Sequence, residues 1–340
     1  MDSIDWQALA RLRRIFLTED AAPPDYWETE ADLEGYDATF AQRIGWKWDF
    51  VLGELQRRGW RPPAGTVLDW GCGSGVAARA LLDLFGTAEV TRLYYADRSA
   101  KAVEFARRRA REKYPGLDVA AGCPDAPDVL LLSHVLGELE TPAVEMLLER
   151  VRTATCVLWV EPGNYPSSLA LIAIRERLRT DFHVVAPCPH QGPCGILAPG
   201  NEPHWCHHFA PPPGFVFRDR DWARFAREME IDLRSLPVSF LVLDRRPAPP
   251  LPPDTARIIG RPRINKVDAR PLACTAAGKV AEFRLPKRTR REDYHRFRKR
   301  RWDSLQRWET DGDEIRAIHP ALPPAPAPDD ASTSSTSDDS

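Results

Sequence analysis

The residues with the clearest chemical potential form an acid followed by three glycines. The run is Asp69-Trp70-Gly71-Cys72-Gly73-Ser74-Gly75, and its acid ends the strand-like segment 66–69. Glycines at a strand-to-helix turn allow positive φ angles and let a ligand approach the backbone closely. At the carboxyl end of a parallel strand, such a turn predicts a site for a nucleotide-type ligand.

Two other types of glycine-rich turn are excluded by particular positions. A phosphate-binding P-loop ends in Gly-Lys-Ser/Thr, which this turn lacks, and a dinucleotide-binding turn needs glycine where this chain has Val76. The remaining interpretation is an S-adenosylmethionine turn in which Asp69 faces the amino group of the ligand. An acid ends the next predicted strand, twenty-six residues after Gly71, and could accept both ribose hydroxyls. The predicted cofactor-binding residues are therefore Asp69, Gly71, Gly73, Gly75 and Asp97. The alternative is a fold that keeps the turn and binds no ligand.

The elements around the turn predict the fold class. Strands and helices alternate from Thr66 to Phe182, which indicates a doubly wound parallel sheet with helices on both faces. The turn and the distant acid resemble those of class I S-adenosylmethionine-dependent methyltransferases. The resemblance implies a Rossmann-like α/β fold with a seven-stranded sheet, and it implies that Asp125 and Ser133 contact the adenine or border the substrate mouth.

Residues that identify a particular methyl-transfer chemistry are missing. Exocyclic-amine methyltransferases carry Asn/Asp-Pro-Pro-aromatic after the fourth strand, where this chain continues from Ser133 as Ser-His-Val-Leu. Base-carbon methyltransferases need a cysteine after proline, whereas Pro127 precedes an aspartate. His134 and Glu138 are four residues apart and could act as base and orienting group, or form a polar pair without a catalytic role. Catalytic residues are therefore unassigned, and enzymatic activity is left open.

Four of the seven cysteines form a pattern that predicts a metal site. Cys188 and Cys194 lie in a proline-rich loop, Cys206 follows twelve residues later among histidines, and Cys274 lies beyond a proline-rich linker. Four thiolates suit either a tetrahedral zinc ion or an iron–sulfur cluster. The wide spacing favours a cluster, and nearby histidines that could replace one cysteine keep zinc as the alternative. These histidines are His190, His204, His207 and His208.

The cysteine segments together resemble one family, the methyltransferase-like small-ribosomal-subunit assembly factors. The best-known members of that family act on the mitochondrial ribosome, and bacteria have relatives. The resemblance covers about Phe40 to Leu285. Its motifs are Glu161-Pro162-Gly163, Cys188-Pro189-His190 through Cys194, His204-Trp205-Cys206 and Arg261-Pro262-Arg263 with the later Cys274. The resemblance implies binding of the immature small subunit through its RNA and a 4Fe–4S cluster. The implied cluster ligands are Cys188, Cys194, Cys206 and Cys274.

Charge is distributed unevenly along the chain. The formal net charge is −2, yet ten of the eighteen residues from Arg284 to Arg301 are Lys or Arg. Because Tyr294, Phe297 and Trp302 interleave with them, this basic region predicts contact with ribosomal RNA, with bases stacking on the aromatic rings. A solvated helix face is the alternative interpretation.

Composition bounds the location and the domain organisation. No apolar run approaches the roughly 20 residues that cross a bilayer, so we expect no membrane partner. The acidic N-terminus resembles neither a signal peptide nor an Arg-rich transit peptide, which predicts a cytoplasmic, bacterial protein. The predicted domains are an N-terminal helical cap (1–60), a methyltransferase-like domain (61–245) with a Cys-rich metal-binding insertion (183–214), a small β-rich C-terminal extension with a basic helix (246–310) and a disordered acidic tail (311–340).

Two functions are consistent with these features. The first is a protein that binds S-adenosylmethionine, carries an iron–sulfur cluster, and assists the assembly or translation of the small ribosomal subunit. The second is an active methyltransferase acting on RNA or a small molecule, with a structural zinc or iron–sulfur site. They differ in whether a reactive group is positioned over the methyl group of the cofactor.

Overall fold

The computed structural model describes residues 4–17 and 25–324, which form two sheets and flanking helices. The described helices are α1 (Trp6–Leu17), α2 (Glu30–Asp37), α3 (Phe40–Arg57), α4 (Val76–Phe85), α5 (Ala100–Lys113), α6 (Thr141–Thr153), α7 (Tyr165–Leu178), α8 (Arg220–Glu228) and α9 (Arg291–Arg298). The described strands are β1 (Gly65–Trp70), β2 (Val90–Ala96), β3 (Val119–Ala121), β4 (Val129–Ser133), β5 (Cys156–Pro162), β6 (His183–Ala186), β7 (His208–Phe209), β8 (Pro237–Asp244), β9 (Thr255–Ile264), β10 (Asp268–Thr275), β11 (Val280–Glu282), β12 (Leu285–Pro286), β13 (Leu305–Asp311) and β14 (Glu314–Pro320).

The first sheet has the order β3-β2-β1-β4-β5-β8-β6, and β7 pairs with β8 at its end. Strands β1 to β5 pair in parallel with their neighbours, whereas β8 is antiparallel to both β5 and β6. The switch point of this order lies between β1 and β4, next to the glycine turn. The predicted α/β fold with a doubly wound sheet is confirmed.

Helices cover both faces of this sheet. The central strands are apolar along their whole length, and Leu130 and Leu158 are fully buried because such strands are covered on both sides. One face packs against a core that includes Leu52 of α3 and Leu81 of α4. The other packs against α6 and α7, with Leu148 among the buried side chains. Within the described ranges, no helix is long and apolar enough to cross a membrane.

Two boundaries differ from the sequence-based prediction. The predicted Cys-rich insertion begins at 183, but His183–Ala186 forms β6 at the end of the sheet and pairs with β8. The strand was missed because its four residues show too short an apolar run to stand out beside the proline-rich loop. The sequence predicts a helix over 167–182, but α7 begins at Tyr165, because the Asn164 side chain accepts a hydrogen bond from the Ser167 backbone N–H at 2.9 Å and caps the helix.

The second sheet contains β9 to β14 in the order β11-β10-β9-β13-β14, with β12 paired to β10. The sequence predicts a basic helix from about Arg290 to Trp308, whereas α9 ends at Arg298 and β13 begins at Leu305. The predicted disordered tail from 311 is also wrong in its first part, because β14 (Glu314–Pro320) pairs with β13 along its length. The apolar side chains of Ile315 and Ile318 pack on the core of the second sheet, so this segment can complete it. The rest of the predicted tail, 325–340, lies outside the described residues.

Candidate functional site

The acid–glycine turn lies at the carboxyl end of β1, where α4 begins. Gly71, Gly73 and Gly75 have positive φ angles of 68°, 50° and 79°. A Cβ at Gly71 would lie 2.7 Å from Cγ1 of Val135, so a larger residue would clash there. A Cβ at Gly73 would meet no atom within 4 Å, which leaves the centre of the turn open. The turn therefore packs tightly on one side and exposes backbone on the other.

Asp97 directly follows β2 and contacts the middle of this turn. Its Oδ2 accepts a hydrogen bond from the Gly73 backbone N–H at 2.9 Å, and its Oδ1 accepts one from the Ser99 backbone N–H at 2.9 Å. The carbonyl of Ala96 accepts a hydrogen bond from the Gly71 backbone N–H at 2.8 Å. The structure thus brings together the two parts of the predicted cofactor site.

Asp69 lies beneath the turn and not on its open side. The residue is 1% exposed, and its Oδ2 accepts a hydrogen bond from the backbone N–H of Ala78 at 3.1 Å. Burial raises the pKa of Asp69 to about 7, against the opposing effect of the Ala78 hydrogen bond. The carboxyl group therefore connects β1 to the first turns of α4, and it does not face the space where the amino group of a ligand was expected.

Of the two residues implied to border the adenine, only one lies at this edge of the sheet. Ser133 ends β4, and its Oγ accepts a hydrogen bond from Nε1 of Trp48 at 3.0 Å. Asp125 is exposed, and its backbone carbonyl accepts a hydrogen bond from Oγ1 of Thr153 at 2.6 Å. Because Thr153 ends α6 just before β5 begins, Asp125 lies near the opposite edge of the sheet, away from the glycine turn. Its contact with the cofactor stays a prediction.

His134 and Glu138 do not form the base-and-orienter pair that their spacing suggested. Glu138 lies 2.9 Å from the guanidinium of Arg98 and accepts a hydrogen bond from the Tyr26 hydroxyl at 3.4 Å. Nε2 of His134 lies 3.2 Å from Nζ of Lys47. A spacing of four residues would place both side chains on one face of an α-helix. The segment forms a short 3-10 turn instead, so the side chains of His134 and Glu138 point to different neighbours.

Lys47, His134 and Glu161 form a group of titratable side chains next to the turn. Of these three, the sequence singled out His134 as a candidate base, and it gave no sign of the contact with Lys47. Burial and then the charge of Arg43 lower the pKa of Lys47 to about 7, and burial with the neighbouring Lys47 lowers the pKa of His134 well below its usual value. Burial raises the pKa of Glu161 to about 7, although its Oε1 accepts hydrogen bonds from two backbone N–H groups and the Trp159 indole. His134 also has a positive φ of 58°. No sequence signal connects a lysine of α3 to residues that follow β4 and end β5.

The N-terminal segment covers the edge of the sheet beside Asp97. Tyr26 packs under the guanidinium of Arg98 at 5.0 Å, and Nζ of Lys101 donates a hydrogen bond to the carbonyl of Trp27 at 2.6 Å. Burial and then the charge of Glu138 raise the pKa of Tyr26 far above its usual value. The helical cap predicted for 1–60 therefore includes side chains that border the candidate cofactor site.

The four cysteines predicted to bind metal come together although they lie on different segments. Cys188, Cys194 and Cys206 line one small cavity between α7 and β8. Cys274 of β10 packs in the same apolar cluster as Cys194 and Cys206, together with Ile172. Burial raises the pKa of Cys194 to about 11, with a further contribution from Cys188. Burial and the other three cysteines raise the pKa of Cys274.

Buried arginines surround these sulfur atoms and were not predicted from the sequence. Arg175 of α7 is 3% exposed, and its Nε donates a hydrogen bond to Sγ of Cys188 at 3.2 Å. Arg257 of β9 is 1% exposed, and its Nε and one of its terminal nitrogens have no hydrogen-bond partner. The charge of Arg257 opposes the rise in the pKa of Cys206 that burial causes. Uncompensated buried guanidinium N–H groups next to thiols suit an anionic group at this position.

The histidines of the cysteine-rich segment divide into two pairs. Nε2 of His190 lies 3.3 Å from Sγ of Cys274, and Nε2 of His208 lies 3.7 Å from Sγ of Cys206. The ring of His207 stacks on Trp205 instead. The backbone N–H of His204 donates a hydrogen bond to the carbonyl of Asn201. Across residues 4–17 and 25–324, no three His, Cys, Asp or Glu side chains are arranged so that they could hold a metal ion. Metal binding by the insertion is therefore not confirmed.

The aromatic residues of the basic region do not face solvent. Tyr294 and Phe297 are 3% and 2% exposed and belong to the core of the second sheet, and Trp302 stacks on Phe297 with ring centroids 5.7 Å apart. The prediction that RNA bases stack on these rings is wrong for the two buried rings, because their period on α9 directs both of them into the core. The basic residues occupy the opposite face of α9, where Arg296, Arg298, Lys299 and Arg301 line an open groove together with Glu292 and His295.

The sheet order, with its one antiparallel strand inserted between β5 and β6, and the acid–glycine turn define the class I methyltransferase fold. A family model described as mitochondrial small ribosomal subunit Rsm22 matches residues 51–307, which is more than half of the chain. The chain belongs to this family. The family description associates its members with the small ribosomal subunit of mitochondria. This description contradicts the prediction of a cytoplasmic, bacterial protein.

Solved structures of methyltransferases are similar at a low level. Magnesium protoporphyrin IX methyltransferase from Synechocystis with bound S-adenosylmethionine is 14% identical, with a TM-score of 0.39, and the match covers 72% of this chain and 94% of that one. An S-adenosylmethionine-dependent methyltransferase from Aquifex aeolicus is 15% identical, with a TM-score of 0.36, and the match covers 48% and 93%. No curated protein matches the chain significantly in sequence.

Proposed function

We propose that this protein binds the immature small ribosomal subunit through its RNA and assists the assembly and translation of the subunit. The observation that carries the proposal is the exposed basic face of α9, in a chain whose family is described as a small-subunit protein. Tyr294 and Phe297 anchor the opposite face of the helix in the core, so the basic residues are presented on a rigid support. Lys and Arg at this density neutralise phosphates and release counterions, which makes binding salt-dependent.

The glycine turn is proposed to bind S-adenosylmethionine. Asp97 would accept hydrogen bonds from the ribose, and the open backbone at Gly73 would allow close approach of the ligand. Ser133 borders the same edge of the sheet, and Asp69 holds the turn on α4. When bound, the cofactor supplies an electrophilic methyl group on its sulfonium.

A 4Fe–4S cluster held by the four clustered cysteines is the second part of the proposal. The cavity between α7 and β8 is lined by sulfur and apolar side chains, and the buried Arg175 and Arg257 would balance the negative charge of a thiolate-bound cluster. A cluster holds its thiolates farther apart than a single ion does, because its irons and sulfides lie between them. Zinc stays the alternative for the same four cysteines.

An active methyltransferase is the second candidate function, and the buried group at Lys47 favours it. Lys47 with a pKa near 7 lies 3.2 Å from His134, whose φ is positive, beside Ser133 at the edge of the sheet. Strained residues and shifted pKa values concentrate at functional sites. This candidate predicts a methyl group in small-subunit RNA that is missing in deletion cells, which mass spectrometry of that RNA would detect. The first proposal does not require one.

Co-sedimentation with small-subunit particles tests the RNA contact. Reversing Arg298, Lys299, Arg300 and Arg301 to Glu should abolish co-sedimentation at moderate salt, because the reversed face repels phosphates. The unfolding temperature should stay close to that of the wild type, since these side chains are exposed.

The matched control reverses four exposed arginines elsewhere on the surface. These are Arg14, Arg218, Arg220 and Arg227. The control should co-sediment nearly as well as the wild type, although its net charge changes by the same amount. Equal co-sedimentation of both variants would show that α9 is not the RNA contact.

A further inference from the structure

The strands of the second sheet follow one connectivity that identifies a known barrel. β9, β10 and the third strand formed by β11 and β12 make an antiparallel meander, α9 follows, and β13 returns to pair with β9 before β14 pairs with β13. A parallel bridge between Arg284 and Glu314 closes the ring. The backbone N–H of Arg284 donates to Asp313 at 2.8 Å, and that of Ile315 donates to Arg284 at 2.9 Å. This is the five-stranded Greek-key barrel of the oligonucleotide/oligosaccharide-binding (OB) fold.

The interior of the barrel is filled by alternate residues of its strands. Ala256 and Ile258 of β9 face inward, Phe283 and Trp308 pack edge to face at 5.2 Å, and α9 adds Phe297. Because side chains alternate along a strand, the residues between them face outward. The outward face of the meander is the surface on which OB folds bind oligonucleotides.

Half of this outward face is covered by the rest of the molecule. Arg257 contacts Glu54 of α3, and Ile259 and Cys274 pack in the cysteine cluster. The backbone N–H of Gly260 donates to the carbonyl of His207 at 2.8 Å, which marks the end of the covered part. Arg261 still contacts the ring of Phe209 at 4.0 Å, and Pro262 is buried. From Arg263 onward, the end of β9 and the loop to β10 are largely exposed.

The exposed half carries positive charge and apolar side chains together. Arg261, Arg263 and Lys266 are exposed, and Val267, next to Lys266, is 65% exposed. Three acids lie near these cations. Glu282 pairs with Arg263 and Arg270 at 3.0 Å each, Asp268 lies 3.3 Å from Arg270, and the charge of Asp232 acts on Arg261. The patch therefore keeps an excess of positive charge, which complements phosphates and leaves apolar surface for bases.

Two of the hairpin loops of the barrel differ in charge. The loop between β13 and β14 carries Asp311 and Asp313, whereas the loop between β9 and β10 carries Lys266. The hydroxyl of Tyr294 on α9 donates a hydrogen bond to the carbonyl of Asn265 in the β9–β10 loop at 2.8 Å. Helix α9, which carries the basic groove, therefore lies beside this loop.

We propose that the C-terminal barrel is an OB fold that binds single-stranded RNA across residues 261–267 and the adjoining part of β10. Arg261, Arg263 and Lys266 contact phosphates, and the apolar side chain of Val267 contacts a base. A single strand offers its unpaired bases to such contacts, whereas a duplex hides them. This inference rests on the proposed function and gives it a second RNA contact beyond α9.

Binding of a twelve-nucleotide oligouridine RNA to the full chain tests the inference. The variant Arg263→Gln/Lys266→Gln should bind about tenfold more weakly and lower the salt slope by about 1.4, because each single-strand phosphate contact contributes about 0.7. Val267→Ser should weaken binding without changing the salt slope. The matched control Lys279→Gln/Arg316→Gln removes two exposed charges from the same barrel and should bind like the wild type.

Photocrosslinking with 4-thiouridine in the same RNA locates the contact. Crosslinked peptides from 261–267 would support the inference, and crosslinks confined to α9 would overturn it. A wild-type chain that binds the single strand no better than a duplex of equal length would also overturn it. Small-subunit co-sedimentation separates the two proposals, since a chain that sediments with particles but passes neither RNA test keeps the proposed function and loses only the OB surface.

Discussion

Asp97 holds the candidate cofactor site together through single hydrogen bonds. Its two carboxylate oxygens accept hydrogen bonds from Gly73 in the turn and from Ser99 at the start of α5. A ligand that reaches this carboxylate would therefore contact the turn as well. The same residue orders the apo site and is available to the ribose.

We expect Asp97→Ala to weaken binding of S-adenosylmethionine by tenfold or more. Leaving a buried polar group of the ligand or the turn unpaired costs roughly 1–3 kcal/mol. Isothermal titration calorimetry measures the change in affinity, and circular dichroism checks that the fold survives.

Asp125→Ala is the matched control, because Asp125 is exposed at the opposite edge of the sheet. It removes the same side chain and should leave the affinity unchanged. Absence of any binding to the wild type would contradict the cofactor proposal and leave a methyltransferase fold without its ligand.

At the scale of elements, the cysteine-rich loop and the β10–β11 hairpin fit closely. A Cβ at Gly195 would lie 2.3 Å from the carbonyl oxygen of Gly278, so the two backbones touch. Cys194 lies next to this contact, and Cys274 comes from the hairpin strand itself. A group bound by both would fasten the barrel to the first sheet.

The cluster proposal predicts a brown protein after anaerobic purification, with about four iron and four sulfide per chain. Cys274→Ser should lower the iron content and speed hydrogen exchange in β10, because one link between the two elements is lost. Absorption spectra, metal analysis and exchange mass spectrometry measure these effects.

Cys123→Ser provides the control, since Cys123 is an exposed free cysteine outside the cluster. It should keep its colour and its exchange pattern. A colourless wild type with one zinc per chain would reject the cluster and favour the zinc alternative.

At the scale of the whole molecule, a buried ion pair joins α3 to the barrel. Both carboxylate oxygens of Glu54 accept hydrogen bonds from Arg257 at 2.6 and 2.7 Å, and Arg58 lies 2.7 Å away. Burial opposes the ionised form of Glu54, but the charges and hydrogen bonds of the two arginines outweigh this effect and lower its pKa. One carboxylate therefore pairs with two buried cations from different parts of the fold, and a net positive charge is left in this region.

Glu54→Ala should destabilise the protein by roughly 3–5 kcal/mol, because it leaves two buried arginines without a partner. Arg257→Met should cost less, since Glu54 keeps Arg58. Denaturant unfolding of the full chain measures both losses of stability. A larger loss for Arg257→Met than for Glu54→Ala would contradict the proposed role of Glu54 as the shared partner of the two arginines.

The control is Asp303→Ala, which breaks the exposed pair of Asp303 with Arg57 and should change stability by less than about 1 kcal/mol.

The lowered pKa of Glu54 also makes the stability of the protein depend on pH. Its stabilisation is present above its ordinary value near 4.5 and is lost as the pH falls, so acid should destabilise the wild type more than Glu54→Gln.

The sequence by itself determined the class of the fold and the position of the glycine turn. Both depend on local rules: apolar runs such as 129–133 specify buried strands, and three glycines after Asp69 specify a turn. The four cysteines were also singled out by residue type. The structure brings them together, and their role as metal ligands stays a prediction.

Only the tertiary structure decided which residues share a site. The contact with Thr153 places Asp125 near the opposite edge of the sheet from the glycine turn. Packing of α3 brings Lys47 next to His134, although the two residues are eighty-seven positions apart in the chain. Tyr294 and Phe297 face inward and are buried in the core of the second sheet. Long-range packing and strand connectivity carry no local pattern, so the buried arginines and the closed barrel could be recognised only after the chain was folded.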